Sequence, residues 1–118
     1  MIVIMKEEQV AEVDEWTEVG NMSTLFKDSN RYSTVINGVK VGLFLIDGQV
    51  YALDDICTHG NAKLSEGEVY GFEIECPLHA GAFDIRNGKA LCAPLTRDTR
   101  AHEVRQIEDR ILVKVEPK

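Results

Sequence analysis

An all-β fold, an antiparallel sandwich or barrel, is what the sequence predicts, and two features predict it. Short apolar or alternating segments recur from about Val35 onward, and Asx-Gly dipeptides that favour tight turns fall between them. "VKVGLFLIDGQVYALDD" reads as two strands joined at Asp47-Gly48. In "VYGFEIEC" the alternation sets Tyr70, Phe72, Ile74 and Cys76 on one face and Glu73 and Glu75 on the other, which predicts one strand. "AFDIRNGKALCA" predicts a hairpin turning at Asn87-Gly88. "AHEVRQIEDRILVKVEP" predicts a last hairpin in which Ile111, Val113 and Val115 share a face. The first third is less regular: "EEQVAEVDEW" has room for one helical turn, and "STLFKDSN" shows no decisive period.

With 118 residues and 44% apolar side chains, the chain can fill one core but not two. A single domain over residues 1–118 is expected, with no linker, low-complexity tract or internal repeat of domain size. The longest apolar candidate, Val39 to Ile46, is interrupted by Lys40 and Gly42, so no membrane span is expected. "MIVIMKEEQ" has an apolar start but no basic flank and no cleavage site, and a cytoplasmic location is expected. The net charge of −7 disfavours nucleic acid and anionic membranes as partners. The acidic excess is concentrated in the first half and suits electrostatic steering toward a basic protein partner. Three cysteines, Cys57, Cys76 and Cys92, are an odd number in such a chain and argue against a disulfide framework.

The chemistry is concentrated in "CTHGNAKLSEGEVYGFEIECPLHAG". Cys57 and His59 form a first Cys-x-His box, and Cys76 and His79 form a Cys-x-x-His box after sixteen intervening residues. Both boxes fall in loops at strand ends, where a β scaffold presents functional groups. Gly60 and Gly81 permit the tight loops in which such pairs converge. Three readings compete on the residues alone: buried thiols with chance histidine neighbours, a structural zinc site of Cys₂His₂ type, and an iron–sulfur cluster with mixed ligands. Cys-x-His is shorter than the usual first pair of a zinc site.

These boxes resemble the Rieske 2Fe–2S motif. "CTHG" and "CPLHAGAFDIRNGKALCAP" are similar to the Rieske-type ferredoxins of bacterial aromatic-ring-hydroxylating dioxygenase systems, and the resemblance runs from about Val39 to Val115. It implies the Rieske fold, with a small cluster-binding subdomain of two loops, and one 2Fe–2S cluster. It implies Cys57 and Cys76 on the inner iron and His59 and His79 on the outer iron. It further implies that Pro94, in "GKALCAPL", covers the cluster from a third loop, and it gives Cys92 no ligand role. High-potential relatives add a disulfide between the loops and two hydroxyl donors to sulfur. The matching positions here are Ala62 and Leu78, then Gly81 and Phe83, so the resemblance implies the low-potential branch.

The function implied is a soluble one-electron carrier, monomeric when free. It would take electrons from an NAD(P)H-dependent ferredoxin reductase and pass them to a terminal Rieske non-haem iron oxygenase in aromatic hydrocarbon catabolism. No catalytic residues are expected. His102 is the one histidine outside the boxes, so a 2-His-1-carboxylate iron site cannot be built beside an intact cluster. The alternatives are a small Rieske subunit of a nitrite reductase-like complex and a zinc-stabilised interaction module.

Overall fold

The computed structural model describes residues 16–57, 62–77, 81–91 and 97–116. Nine strands form two antiparallel sheets. They are β1 (Thr17–Asn21), β2 (Arg31–Ile36), β3 (Val39–Ile46), β4 (Gln49–Asp54), β5 (Glu68–Tyr70), β6 (Glu73–Glu75), β7 (Ala82–Asp84), β8 (Ala101–Ile107) and β9 (Arg110–Lys114). One helical turn, α1 (Met22–Leu25), follows β1, and a 3₁₀ turn at Leu64–Glu66 precedes β5. The larger sheet has the order β1-β9-β8-β4-β3-β2, and the smaller one β5-β6-β7. Among the described residues no helix is long and apolar enough to cross a membrane.

The two-residue turns explain the register. Asn37-Gly38 and Asp47-Gly48 all have positive φ, the conformation of a type I′ turn, whose twist matches that of paired strands. They close β2 on β3 at Ile36↔Val39 and β3 on β4 at Ile46↔Gln49. The hairpin expected at Asp47-Gly48 is therefore present. So is the last one, with Ile111, Val113 and Val115 all buried.

One core unites the larger sheet. Ile36 from β2, Val39, Val41 and Leu43 from β3, Val50 and Ala52 from β4, and Ile111 and Val113 from β9 share a single buried cluster, packed against Val19 and Val104 of β1 and β8. Strands at opposite ends of the sheet meet in that cluster, so the sheet is curled into a barrel-like layer. The N-terminal strand is tied to the last hairpin from outside: Arg105 lies over the Trp16 ring at 4.4 Å, and Ser23 Oγ donates to Asp109 Oδ2 at 2.6 Å.

β3 is buried on both faces. Val39, Val41 and Leu43 face the barrel core, while Phe44 joins a second cluster with Leu53, Cys57, Leu64, Ile74, Cys76, Phe83 and Ile85. Double burial accounts for the apolar run "VGLFLI", in which Gly42 is the one break. The smaller sheet lies over this second face. Tyr51 on β4 meets Phe72 edge-on with ring centroids 6.0 Å apart, and the Arg86 guanidinium lies over the Phe72 ring at 4.5 Å.

Two expectations are corrected. "VYGFEIEC" is not one strand: Gly71, at φ 61, reverses the chain, and β5 and β6 pair as a hairpin at Tyr70↔Glu73. Tyr70 is consequently 60% exposed, and only Ile74 and Cys76 of the four expected residues are buried. The turn at Asn87-Gly88 is wider than two residues. The Asp84 amide donates to the Lys89 carbonyl, enclosing residues 85–88, and the returning strand is one bridge, Phe83↔Ala90. "STLFKDSN", which shows no decisive period, contains the end of α1, and β1 and β2 flank it. The helical turn considered for "EEQVAEVDEW" lies outside the described residues except for Trp16.

Two valines separate burial from propensity. Val41 is fully buried and Val35 is 62% exposed. Val41→Ala is expected to lower the unfolding free energy by about 2 kcal/mol, and Val35→Ala by less than about 0.5 kcal/mol. Urea denaturation of both variants checks the difference; equal losses would contradict this placement of the core.

Candidate metal centre

Cys57 and Cys76 are 2% and 1% exposed and belong to the same apolar cluster, so two segments nineteen positions apart deliver their thiols to one interior. Equivalent backbone bonds start at the two cysteines. The Cys57 amide donates to the Ala62 carbonyl at 2.9 Å, and the Cys76 amide donates to the Gly81 carbonyl at 2.7 Å, each joining residues five positions apart.

Local sequence explains each foot. The first loop rises from a short ladder in which Ile56 bridges Lys63 and the Leu64 amide donates to the Asp55 carbonyl at 2.6 Å. The second follows β6 directly, and β7 resumes after Gly81 with Glu75↔Ala82. The residues flanking 92–96 are tied to the smaller sheet and its turn: the Leu91 amide donates to the Ala82 carbonyl, the Ala90 amide to Asp98 Oδ1, and the Thr99 amide to the Gly88 carbonyl.

Gly67 sets the distance between the two cysteine-bearing segments. Its amide donates to the Leu64 carbonyl, and a β-carbon placed on it would overlap the Glu75 carbonyl oxygen, one residue before Cys76. The backbone after the first loop therefore touches the backbone before the second. Only a residue without a side chain allows that approach.

His59, His79, Leu78, Cys92 and Pro94 lie outside the described residues. Among the described residues no three His, Cys, Asp or Glu side chains converge on one point. What is present fits a metal–sulfur group: two thiols in an apolar, water-excluding interior, each at the root of a small closed loop, suit soft thiolate ligation better than hard-ion chemistry. His102 is not part of this site. Its Nε2 lies 2.7 Å from Asp54 Oδ1, and its side chain is 3% exposed.

The Rieske 2Fe-2S domain family matches residues 15–108. The chain belongs to the Rieske family. The match reaches further toward the N-terminus than the stretch from Val39 expected from the motifs, and it takes in β1, α1 and β2. Membership settles the cofactor class as one 2Fe–2S cluster and removes the zinc reading. This Rieske chain is 47% identical over 81 residues to the ferredoxin component of the naphthalene 1,2-dioxygenase/salicylate 5-hydroxylase systems of a Ralstonia species, covering 69% of this chain and 78% of that one. It is 38% identical over 98 residues to the ferredoxin component of the naphthalene 1,2-dioxygenase system of Pseudomonas putida, covering 83% and 93%. Its fold matches a chain in the complex of reduced oxygenase and oxidised ferredoxin of carbazole 1,9a-dioxygenase, with TM-score 0.79, 32% identity and coverage of 89% and 97%. Relatives of this kind are named as ferredoxin components, electron-transfer parts rather than the catalytic subunit.

Sequence reasoning missed two parts of the Rieske scaffold. Gly67 and Asn37-Gly38 each carried a legible signal, a glycine between strands and an Asx-Gly turn.

Gly67→Ala is expected to force the Glu75 backbone away and to cost about 1–3 kcal/mol as an overpacked contact. Iron content should fall with it, because the two cysteine segments lose their register. Metal analysis and thermal unfolding check this; a variant with full iron and an unchanged Tm would refute the role given to Gly67.

A second expectation concerns pH. Arg86 binds Asp84 through Nε and Nη2 at 3.0 and 2.9 Å, with its own amide also donating to Oδ1. The Arg86 side-chain hydrogen bond holds the Asp84 carboxyl below its ordinary range, against a smaller opposing effect of burial. A lowered native pKa contributes stability above the ordinary carboxylate range, and this is lost as pH falls through the native value. Arg86→Ala should therefore be less stable than the parent at neutral pH, and the gap should narrow below the ordinary range to what the lost stacking on Phe72 accounts for. A gap that persists unchanged into acid would show that Asp84 is not the group responsible.

Proposed function

We propose that this Rieske domain, acting as one unit over residues 1–118, is a cytoplasmic one-electron carrier. It takes electrons from an NAD(P)H-dependent ferredoxin reductase and passes them to a terminal Rieske non-haem iron oxygenase that hydroxylates aromatic rings. The observation that carries this reading is the matched pair of buried cysteines, each at the foot of a loop that the sequence continues with a histidine. The ligand set proposed is Cys57 and Cys76 on one iron and His59 and His79 on the other.

A 2Fe–2S group bound there supplies storage for one electron at a time. The protein determines how readily it does so. Two neutral imidazoles in place of two thiolates spare the site two negative charges, which eases reduction compared with an all-cysteine site. Ile74, Leu64 and Phe83, all fully buried, keep water from the thiolates. Gly81 and Phe83 bring no hydroxyl to the sulfurs, so this chain forgoes the hydrogen bonds that raise the potential in high-potential relatives. Rieske centres cover roughly −150 to +300 mV, and the low end suits delivery from a nicotinamide source to an oxygenase. The carbazole dioxygenase structure pairs a ferredoxin with its oxygenase, and this supports an oxygenase as the acceptor here. Apolar packing at the foot of the loops leaves the histidine side as the natural docking face, where electron transfer requires close approach. The chain is proposed to be monomeric between encounters.

Reconstitution tests the whole reading. Mixed with a purified NAD(P)H-dependent reductase and a terminal aromatic-ring oxygenase, the protein should be required for hydroxylation. His59→Ala and His79→Ala should lose both the Rieske EPR signal and turnover. A signal that survives either substitution overturns the ligand set. A wild-type protein that holds its cluster but passes no electrons to such an oxygenase overturns the function.

A further inference from the structure

Asp55 is a fully buried acidic residue two positions before Cys57, and three donors are aimed at it. The Ser65 amide donates to Oδ1 at 2.7 Å, the Ser65 hydroxyl to Oδ2 at 2.8 Å, and the Ser33 hydroxyl to Oδ2 at 2.9 Å. Its backbone is equally engaged: the amide donates to the Lys40 carbonyl, and the carbonyl accepts from the Leu64 amide. One residue thereby joins edge strand β2, the start of β3 and the 3₁₀ turn beyond the first loop.

Space for this carboxylate is built into β3. A β-carbon on Gly42 would stand 2.7 Å from Asp55 Oδ1 and 3.2 Å from the Phe44 ring. Gly42 sits between Ser33 on β2 and Leu53 on β4, so the gap lies inside the sheet and the serine donor stands at its edge. A glycine in a strand weakens it, and one placed in a doubly buried strand calls for a reason. The Asp55 carboxylate is that reason.

The geometry also sets Asp55 relative to Cys57. One bridge, Ile56↔Lys63, pairs this stretch with the residues after the first loop, with Asp55 and Cys57 buried and Ile56 less so. The Asp55 carboxylate and the Phe44 ring both border the space at Gly42, and Phe44 shares a cluster with Cys57, so the carboxylate and the thiol belong to one interior. A negative charge held there opposes the arrival of a further electron at that sulfur's metal.

We propose that Asp55 is the positioning residue of the first loop, holding Cys57 in place and lowering the reduction potential of the cluster through its buried carboxylate. This rests on Cys57 being a ligand, the reading of the preceding subsection. Asp55→Asn keeps the shape and the acceptor for the Ser65 amide and removes the charge, while the two serine hydroxyls can turn to accept from the new amide. Ser33→Ala keeps the charge and removes one donor that compensates it.

Both variants are measured as holoproteins at one fixed pH, by EPR-monitored potentiometric titration with visible absorbance as the check on cluster content. Asp55→Asn should shift the midpoint upward. Ser33→Ala should shift it downward by a smaller amount. An Asp55→Asn protein with a full cluster and an unmoved or lowered midpoint overturns the proposal, whatever its Tm. If Asp55→Asn holds no cluster, Ser33→Ala decides: an unmoved or raised midpoint overturns the proposal, and a lowered one sustains it. The ligand reading fails separately, through a Cys57→Ala protein that keeps its Rieske EPR signal.

Discussion

The second apolar cluster, in which Phe44 and Leu53 of the large sheet meet Ile74, Phe83 and the two cysteines, is the interaction on which the rest of the site depends. Three strands of three residues each bury too little surface to stand alone. They are stable because they lie on the outer face of β3 and β4, whose inner face is held by the barrel core. The same contact places Cys57 and Cys76 at the boundary between sheet and loops. The scaffold and the two cysteine-bearing segments therefore share one core.

Sharing a core has a chemical consequence. Thiolates in an apolar interior are protected from water and oxidant, but their charge must be balanced there. The two buried carboxylates before the first cysteine are both hydrogen-bonded. Asp55 meets three donors, and Asp54 is met by His102 at 2.7 Å. Two consecutive buried carboxylates immediately before the first loop mean that its foot is set by hydrogen bonds as well as by packing.

Backbone contacts hold the flanking segments together. The Cys57 and Cys76 amides donate to carbonyls five positions further on, Gly67 presses its backbone against that of Glu75, and Leu91, Ala90 and Thr99 bond to Ala82, Asp98 and Gly88.

By itself the sequence determined the chemistry and the fold class. Cys57, His59, Cys76 and His79 stand out because two soft-ligand boxes in one short window are rare, and hairpins with Asx-Gly turns announce their own register. It was silent on what long-range contact decides. The alternation in "VYGFEIEC" fits one strand as well as two, because a period of two continues through a two-residue turn; only the pairing of Glu68 with Glu75 tells them apart. β1 and β2 lacked a clear pattern because edge strands bury one face incompletely, as in β2, where Ile36 alone is buried. Gly42 looked like an interruption in an apolar run, and Asp55 like any acidic residue in a loop. Their meaning is mutual, a gap and the carboxylate that fills it, thirteen residues apart in sequence and adjacent only after β3 and β4 have paired.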